Sequence, residues 1–343
     1  MIGDVALIIV AVLGAGAVYQ ARGVRRDRRR FPPPGKYAHL GTHRLHFRDI
    51  GAGRPTVILE SGLMSTVLTW QLIQENLAKS ARVISYDRAG LGWSDPGPLP
   101  RDAGRIVSEL DALLDRLQAT PPYVLVGHSF GGLTMQLFAA RHPNEVSGLV
   151  LVDPVAPAEW HPPSEHDRHR AELGSKILRR AAMLCHIGLV RVIGVLIQSG
   201  AKSAANRLIS AISKGAPADS NNTESSLYWN LPPQERAMAS VFWTQAKFCR
   251  TIASQLGWLP NSAAQVVAAG KLACPITVIS AGTCSPERLA AHRAIAAQSP
   301  SGRHILADRS DHWITESQPE LVAHAILEMA SARLDQSPSY RQS

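Results

Sequence analysis

Cysteine is scarce in this chain. Cys185, Cys249, Cys274 and Cys284 are the only four in 343 residues, with no C-x-x-C pair and no zinc-type spacing to histidine. That excludes a disulfide scaffold, argues against a structural zinc site and fits a reducing compartment. Aromatic residues make up only 6%, and no basic stripe interleaves with them, which sets nucleic acid aside. No G-x-x-x-x-G-K-[ST] loop occurs, so a nucleotide enzyme of that kind has no support. No repeat period is visible. What is present is an ordinary globular composition, 45% hydrophobic and 18% charged. It excludes a disordered, collagen-like or polytopic membrane chain and allows a sizeable core in one large domain or two ordinary ones.

The net charge of +9 is local: residues 1–36 hold six arginines and Lys36 against Asp4 and Asp27, more than half of it. Such a tract suits anionic headgroups. It follows the one long apolar run, 15 residues from Val5 to Tyr19, extended by Ile2 and Gly3 beyond Asp4. A full membrane span takes about 20 residues, and arginines at the end of a shorter run can snorkel. Basic residues behind the run place its amino end outside and the rest of the chain in the cytoplasm. A cleaved secretory signal ending at Ala15-Gly16-Ala17, with a secreted or periplasmic product, is the competing reading; it lacks the basic segment with which such signals begin. Residues 1–21 are therefore expected to be a membrane anchor, and 22–36 a basic, proline-rich linker ending in FPPPGK.

Beyond the linker, short β-branched runs alternate with helical patterns. Strands are expected at 43–50, 56–60, 82–86, 122–127, 147–152 and 275–280, with a weaker one at 303–307. Ile106, Leu110, Leu113, Leu114 and Leu117 share one face of a helix over 101–118. This alternation gives an α/β fold with a mostly parallel central sheet and helices on both faces. From Pro154 to about Gly270 no strand is convincing, while 176–198 and 234–256 read as helices. The expected organisation is a core of 37–153 and 271–333, an all-helical cap of 154–270 inserted after the sixth strand, and a disordered tail at 334–343. Such an insertion lies over the carboxyl edge of the sheet, where ligands bind.

Gly127-His128-Ser129-Phe130-Gly131 follows the strand YVLV and opens a helical stretch, GLTMQLFAARH. This is G-x-S-x-G in the strand–turn–helix setting of a nucleophile elbow, which raises the serine hydroxyl above the sheet edge. With YDRAGLGWSD at 86–95, LESG at 59–62 and DHWI at 311–314, the chain resembles the α/β-hydrolase family over residues 37–333.

The resemblance implies a serine hydrolase with a helical cap, without cofactor or metal. A serine hydroxyl needs a base, and His312, after the last strand, occupies that family position. His128 reads as packing, and His161, His166 and His169 as a solvated cluster. The usual acid position after PITVIS carries Ser285, with Glu287 two residues on. Asp153, at the end of LVLVD, matches the alternative position of some members and is the preferred acid; Glu287 is the alternative acid. Asp311, adjacent to the base, is expected to diverge from it. The oxyanion donors are expected to be the N–H groups of Phe130 and of Leu63, with Met64 as neighbour. Asp87 and Arg88 are expected to brace loops through a mutual salt bridge. A serine at the elbow argues against the epoxide hydrolase and haloalkane dehalogenase chemistries, which use aspartate there.

The substrate reading rests on the insertion. Its apolar segment 183–197, with His186 and Arg191 as breaks, suits an acyl pocket, a bilayer contact or a buried cap helix. With the anchor, it favours a small-molecule or lipid-like ester or thioester carrying an apolar acyl group. A peptidase or amidase on the same triad, an inactive membrane-tethered binding protein of the same fold, and a cofactor-free haloperoxidase or lyase are the alternatives.

Overall fold

The computed structural model describes residues 2–213 and 231–331; the expected tail at 334–343 and part of the expected cap lie outside them. Eight strands form one sheet: β1 (Lys36–His39), β2 (Arg44–Ile50), β3 (Thr56–Glu60), β4 (Arg82–Tyr86), β5 (Tyr123–His128), β6 (Val146–Val152), β7 (Ile276–Ala281) and β8 (Arg303–Ala307). Their order is β1-β2-β4-β3-β5-β6-β7-β8. β2 runs antiparallel to both neighbours, and β3 to β8 are all parallel. Sequence reasoning misses β1: KYAH is short and mixed, and it becomes a strand only by pairing with β2, Ala38 opposite Leu45.

Alternation along the strands builds two cores. Val57, Leu59, Val124, Val126, Val150 and Val152 face the helices Gln71–Leu77 and Pro319–Ser331. Ile58, Leu125, Leu149, Leu151 and Val278 face Ala103–Arg116 and Phe130–Arg141. The first of these helices starts where Asp102 accepts from the Arg105 N–H at 2.9 Å. Its next free N–H groups, on Ala103 and Gly104, are taken by Ser262 Oγ at 3.0 Å and Gln265 Oε1 at 2.7 Å. Both acceptors belong to Leu259–Ala269, the last helix of the insertion, which is thereby fixed to the core.

The insertion between β6 and β7 contains no strand among its described residues. The expected continuous helix 176–198 is two: Glu165–His186 and Leu189–Gln198, bent by 95°. The break is Gly188, at φ +72°, where a Cβ would stand 2.9 Å from the Tyr19 ring.

That contact reveals a larger difference. The N-terminal helix runs unbroken from Ile2 to Arg30, so residues 22–30 are helix and not an extended linker. Arginine is a good helix former, and this helix has a docking site. Arg191, buried, reaches Asp27 Oδ2 at 2.6 Å, Gln20 Oε1 at 3.0 Å and Thr244 Oγ1 at 2.9 Å. Gln20 also donates to Thr244 O at 2.8 Å. Phe31 follows, buried, with its carbonyl accepting from Trp93 Nε1 at 3.0 Å.

Leu125 sits fully buried on the central strand β5, in the core beneath the site. Leu125→Ala should cost about 2–5 kcal/mol and lower the melting temperature at roughly 2–4 °C per kcal/mol. Thermal melting by circular dichroism checks this; an unchanged midpoint would contradict so central a place.

Candidate active site

The carboxyl ends of β3, β5, β6, β7 and β8 converge on one edge of the sheet. β5 runs into Ser129, which holds φ 54°, ψ −118°, an unusual conformation for a residue with a side chain. Backbone bonds fix it. Its N–H donates to Val152 O at 2.9 Å, and its carbonyl accepts from Gly132 and Val155, both at 3.0 Å. The flanking glycines are required by close approach. A Cβ on Gly127 would stand 2.5 Å from Gly131 O, and one on Gly131 2.5 Å from Glu60 O.

His312, in the loop after β8, meets this serine: Nε2 lies 3.0 Å from Ser129 Oγ. Its Nδ1 lies 2.6 Å from Oδ2 of Asp153, the residue directly after β6, at φ 40°. A carboxylate accepts, so Nδ1 carries the proton and the Nε2 lone pair faces the serine hydroxyl. The other carboxylate oxygen, Oδ1, accepts from Ala281 N at 3.1 Å and Cys284 Sγ at 3.0 Å. Arg288 stands 3.7 Å from Oδ2. Burial pushes the Asp153 carboxyl up, but the His312 hydrogen bond and charge, with Arg288, outweigh it and hold the group well below the usual range. Burial first, and then the same carboxylate, pushes the Cys284 thiol up to about 12.

His128 does more than pack. Its Nε2–H donates to the His312 carbonyl at 2.8 Å, and its ring lies against the His312 ring, centroids 4.8 Å apart. Burial first, then the neighbouring His312, lowers its pKa to about 3, so it stays neutral.

The turn after β3 faces the elbow: a Cβ on Gly62 would lie 3.4 Å from Ser129 Cβ. Beneath it Arg88, buried, donates to the carbonyls of Ser61, Gly62 and Leu63 and pairs with Glu60, which also accepts from Tyr86. In a trans peptide the C=O and N–H point opposite ways. Carbonyls drawn to Arg88 therefore turn the Leu63 and Met64 N–H groups away from it. Gln255, from the insertion helix Ala246–Gly257, completes the brace. With its amide oriented by its partners, it donates to Leu63 O at 3.2 Å and accepts from Arg88 Nε at 3.1 Å. Asp87 and Arg88 do not pair with each other as expected: Asp87 accepts from Val67 N at 2.9 Å and faces His46 at 2.8 Å. Adjacent residues at a strand end point to opposite sides.

The cleft over Ser129 has a volume of about 460 Å³, and its lining includes apolar Val155, Trp160 and Leu259 and polar Thr283, Ser285 and Arg288. Segment 183–197 does not line it. Of the predicted residues, Ser129, His312 and Asp153 come together. Glu287 does not: it is exposed in the first turn of the helix Pro286–Ala296, which Ser285 caps. His161, His166 and His169 are exposed, and Asp311 turns to the Trp313 N–H at 2.9 Å. Sequence reasoning missed Cys284, Arg288 and Gln255. Their only signal is adjacency for the first two, which flank the expected acid position, and none for Gln255.

Two outcomes follow from this geometry. Arg88→Met should free the turn; where the turn's N–H groups act as an oxyanion donor, kcat falls by about 10²–10³ with little change in KM, and equal kcat in steady-state assays would refute that role. An exposed histidine takes a proton near 6.5, whereas His128 in the fold does so near 3. The unfolded chain therefore binds more protons between those values. The stability due to His128 is full above pH 6.5 and is lost as pH falls toward 3, amounting to a few kcal/mol. His128→Asn should flatten the fall of melting temperature across that window.

Comparisons with known proteins agree with this architecture. The sequence profile of the alpha/beta hydrolase fold matches residues 55–319. The chain is 38% identical over 112 residues to 2-hydroxymuconate semialdehyde hydrolase of Pseudomonas sp. (strain CF600), covering 32% of this chain and 39% of that one. It is 33% identical over 104 residues to the uncharacterized protein YqjL of Bacillus subtilis, covering 30% and 41%. The matched region thus spans less than half of either curated relative. In fold, it superposes on a putative epoxide hydrolase of Pseudomonas aeruginosa with TM-score 0.64 at 17% identity, covering 89% of this chain and 98% of that one. The profile spans more than half of the sequence and the sheet agrees with it, and the chain belongs to the alpha/beta hydrolase fold family.

Proposed function

We propose that the chain is a serine hydrolase that cleaves a carboxylic ester or thioester with an apolar acyl group, held at a membrane by its N-terminal helix. The observation that carries this reading is the unbroken hydrogen-bond chain from Ser129 Oγ through His312 to Asp153 at the floor of an open cleft. His312 Nε2 takes the hydroxyl proton as Ser129 Oγ bonds to the substrate carbonyl carbon. The carbonyl oxygen becomes an oxyanion, received by the N–H groups of Phe130 and Leu63. Phe130 is the first residue of its helix, so its N–H has no partner within that helix. When the carbonyl re-forms, the alcohol or thiol leaves with the proton from His312. Water then attacks the acyl-serine, His312 again takes the proton, and the carboxylic acid leaves as Ser129 Oγ recovers it. Asp153 holds the imidazole in the required tautomer and offsets its transient charge.

Val155, Trp160 and Leu259 in the lining of the cleft support an apolar acyl group. The N-terminal helix is long and apolar enough to cross a membrane, and its arginines support a cytoplasmic active site.

A fluorophosphonate probe should label the full-length protein in detergent and fail to label Ser129→Ala. An unlabelled but folded wild type would remove the proposal. Asp153→Asn should lower kcat by about 10⁴ at unchanged fold. Across p-nitrophenyl esters, kcat/KM should rise with acyl length by roughly fourfold per buried methylene; a preference for short polar acyl groups would exclude the apolar assignment.

A further inference from the structure

The N-terminal helix divides into two halves that differ in what touches them. Val5, Leu7, Ile8, Ile9, Val10 and Val12 are each more than half exposed. From Gly16 onward the helix is docked on the insertion. Gly16 packs against the Ile187 carbonyl and Tyr19 against Gly188, while Gly23 lies under the Arg191 guanidinium. Gln20 and Asp27 are buried beneath Arg191, so this half is clamped and does not swing as a tether.

Length then sets a constraint. The residues before the first docking contact, 2–15, make a helix of about 21 Å at 1.5 Å per residue, against a hydrocarbon thickness of about 30 Å. Burying the rest of the apolar run, Gly16 to Tyr19, carries the contacting insertion segment with it. That segment is itself apolar: the helix Leu189–Gln198, LVRVIGVLIQ, turns its one charged residue inward to Asp27 and leaves Val192 and Val195 exposed. Met183, on the preceding helix, is 64% exposed.

We propose that helix Leu189–Gln198 is a second membrane contact, seated at the headgroup–acyl boundary of an anionic bilayer by the clamped N-terminal helix. The proposal rests on the reading of that helix as a membrane helix. Charge complementarity favours an anionic bilayer over a protein partner: Arg22, Arg25, Arg26, Arg28, Arg29 and Arg30 lie at the docked end, all exposed. Exposed Val192 and Val195 give the helix the apolar residues of a surface-lying amphipathic helix.

The test places an environment-sensitive dye on Val195→Cys in the full chain, bound to phosphatidylcholine–phosphatidylglycerol vesicles containing nitroxide-labelled lipid. Dye on Leu306→Cys, an exposed position on β8 at the far edge of the sheet, is the reference, and wild type gives the background from Cys284. Quenching at 195 at least twofold above that at 306 is the expected result. Protein that floats with the vesicles but shows equal quenching at both positions overturns the second contact and leaves the membrane helix standing. Protein that does not float overturns both. Arg191→Leu with an unchanged circular dichroism spectrum should still float and should lose the excess quenching at 195. Phosphonate labelling of Ser129 reads the hydrolase assignment separately.

Discussion

The site depends on a backbone conformation that the sheet imposes on Ser129. A residue with a side chain at positive φ costs on the order of 1–3 kcal/mol and persists only where its surroundings over-determine it. Here three backbone bonds and two glycines do so, and the registers behind them are those of the central strands, Glu60 opposite Gly127 and Val152 opposite His128. Asp153, at the next strand end, is held at φ 40° by its own N–H, which donates to Ile279 O at 2.7 Å. Adjacent parallel strands thus end in two strained residues. Both side chains reach the same imidazole because β5 and β6 are neighbours.

Beneath the turn after β3 lies an expensive arrangement. Glu60 and Arg88 are both buried, and burial pushes the Glu60 carboxyl up while Arg88 and Tyr86 pull it back. A buried ion pair is weak evidence for stability, since apolar residues of similar size often do as well. What apolar residues cannot do is accept or donate. Arg88 spends its donors on three consecutive carbonyls of the turn, and so orients the peptide groups that face the elbow. The desolvation cost is intelligible as positioning, which packing alone does not supply.

The parts of this molecule written in local patterns were legible in the sequence. GHSFG after an apolar strand gives the elbow, the strands 56–60 and 82–86 stand where their β-branched runs lie, and the weaker strand expected at 303–307 is β8. Position in the sequence favours Asp153 over Glu287, and the structure seats Asp153 at the imidazole and leaves Glu287 exposed. What was not legible depends on partners distant in sequence. β1 is a strand because of β2, and Arg88 turns to Glu60 rather than Asp87 because of how a strand end alternates. The basic tract read as linker since its charge pattern is that of a solvated segment; it is helix to Arg30 because Arg191, 164 residues beyond Asp27, receives it. Gln255 carried no signal at all, being one glutamine on an amphipathic helix.

These distant partners form one continuous body between the N-terminal helix and the reacting atoms. Gln20 and Arg191 grip Thr244, which lies just before the helix Ala246–Gly257, and Gln255 near the end of that helix grips the turn at Leu63. Packed helices transmit position because cores are dense and deform little. A chain shortened to remove the N-terminal helix would leave Arg191 with only Thr244 of these partners and would bare the face of the insertion that Gly16, Gln20, Gly23 and Asp27 cover. Its insertion would then be free to repack, and Gln255 of that insertion bears on the turn at Leu63. Substrate preferences measured on such a shortened chain would describe a different cleft, so the docked half of the helix belongs to the structure that shapes the site.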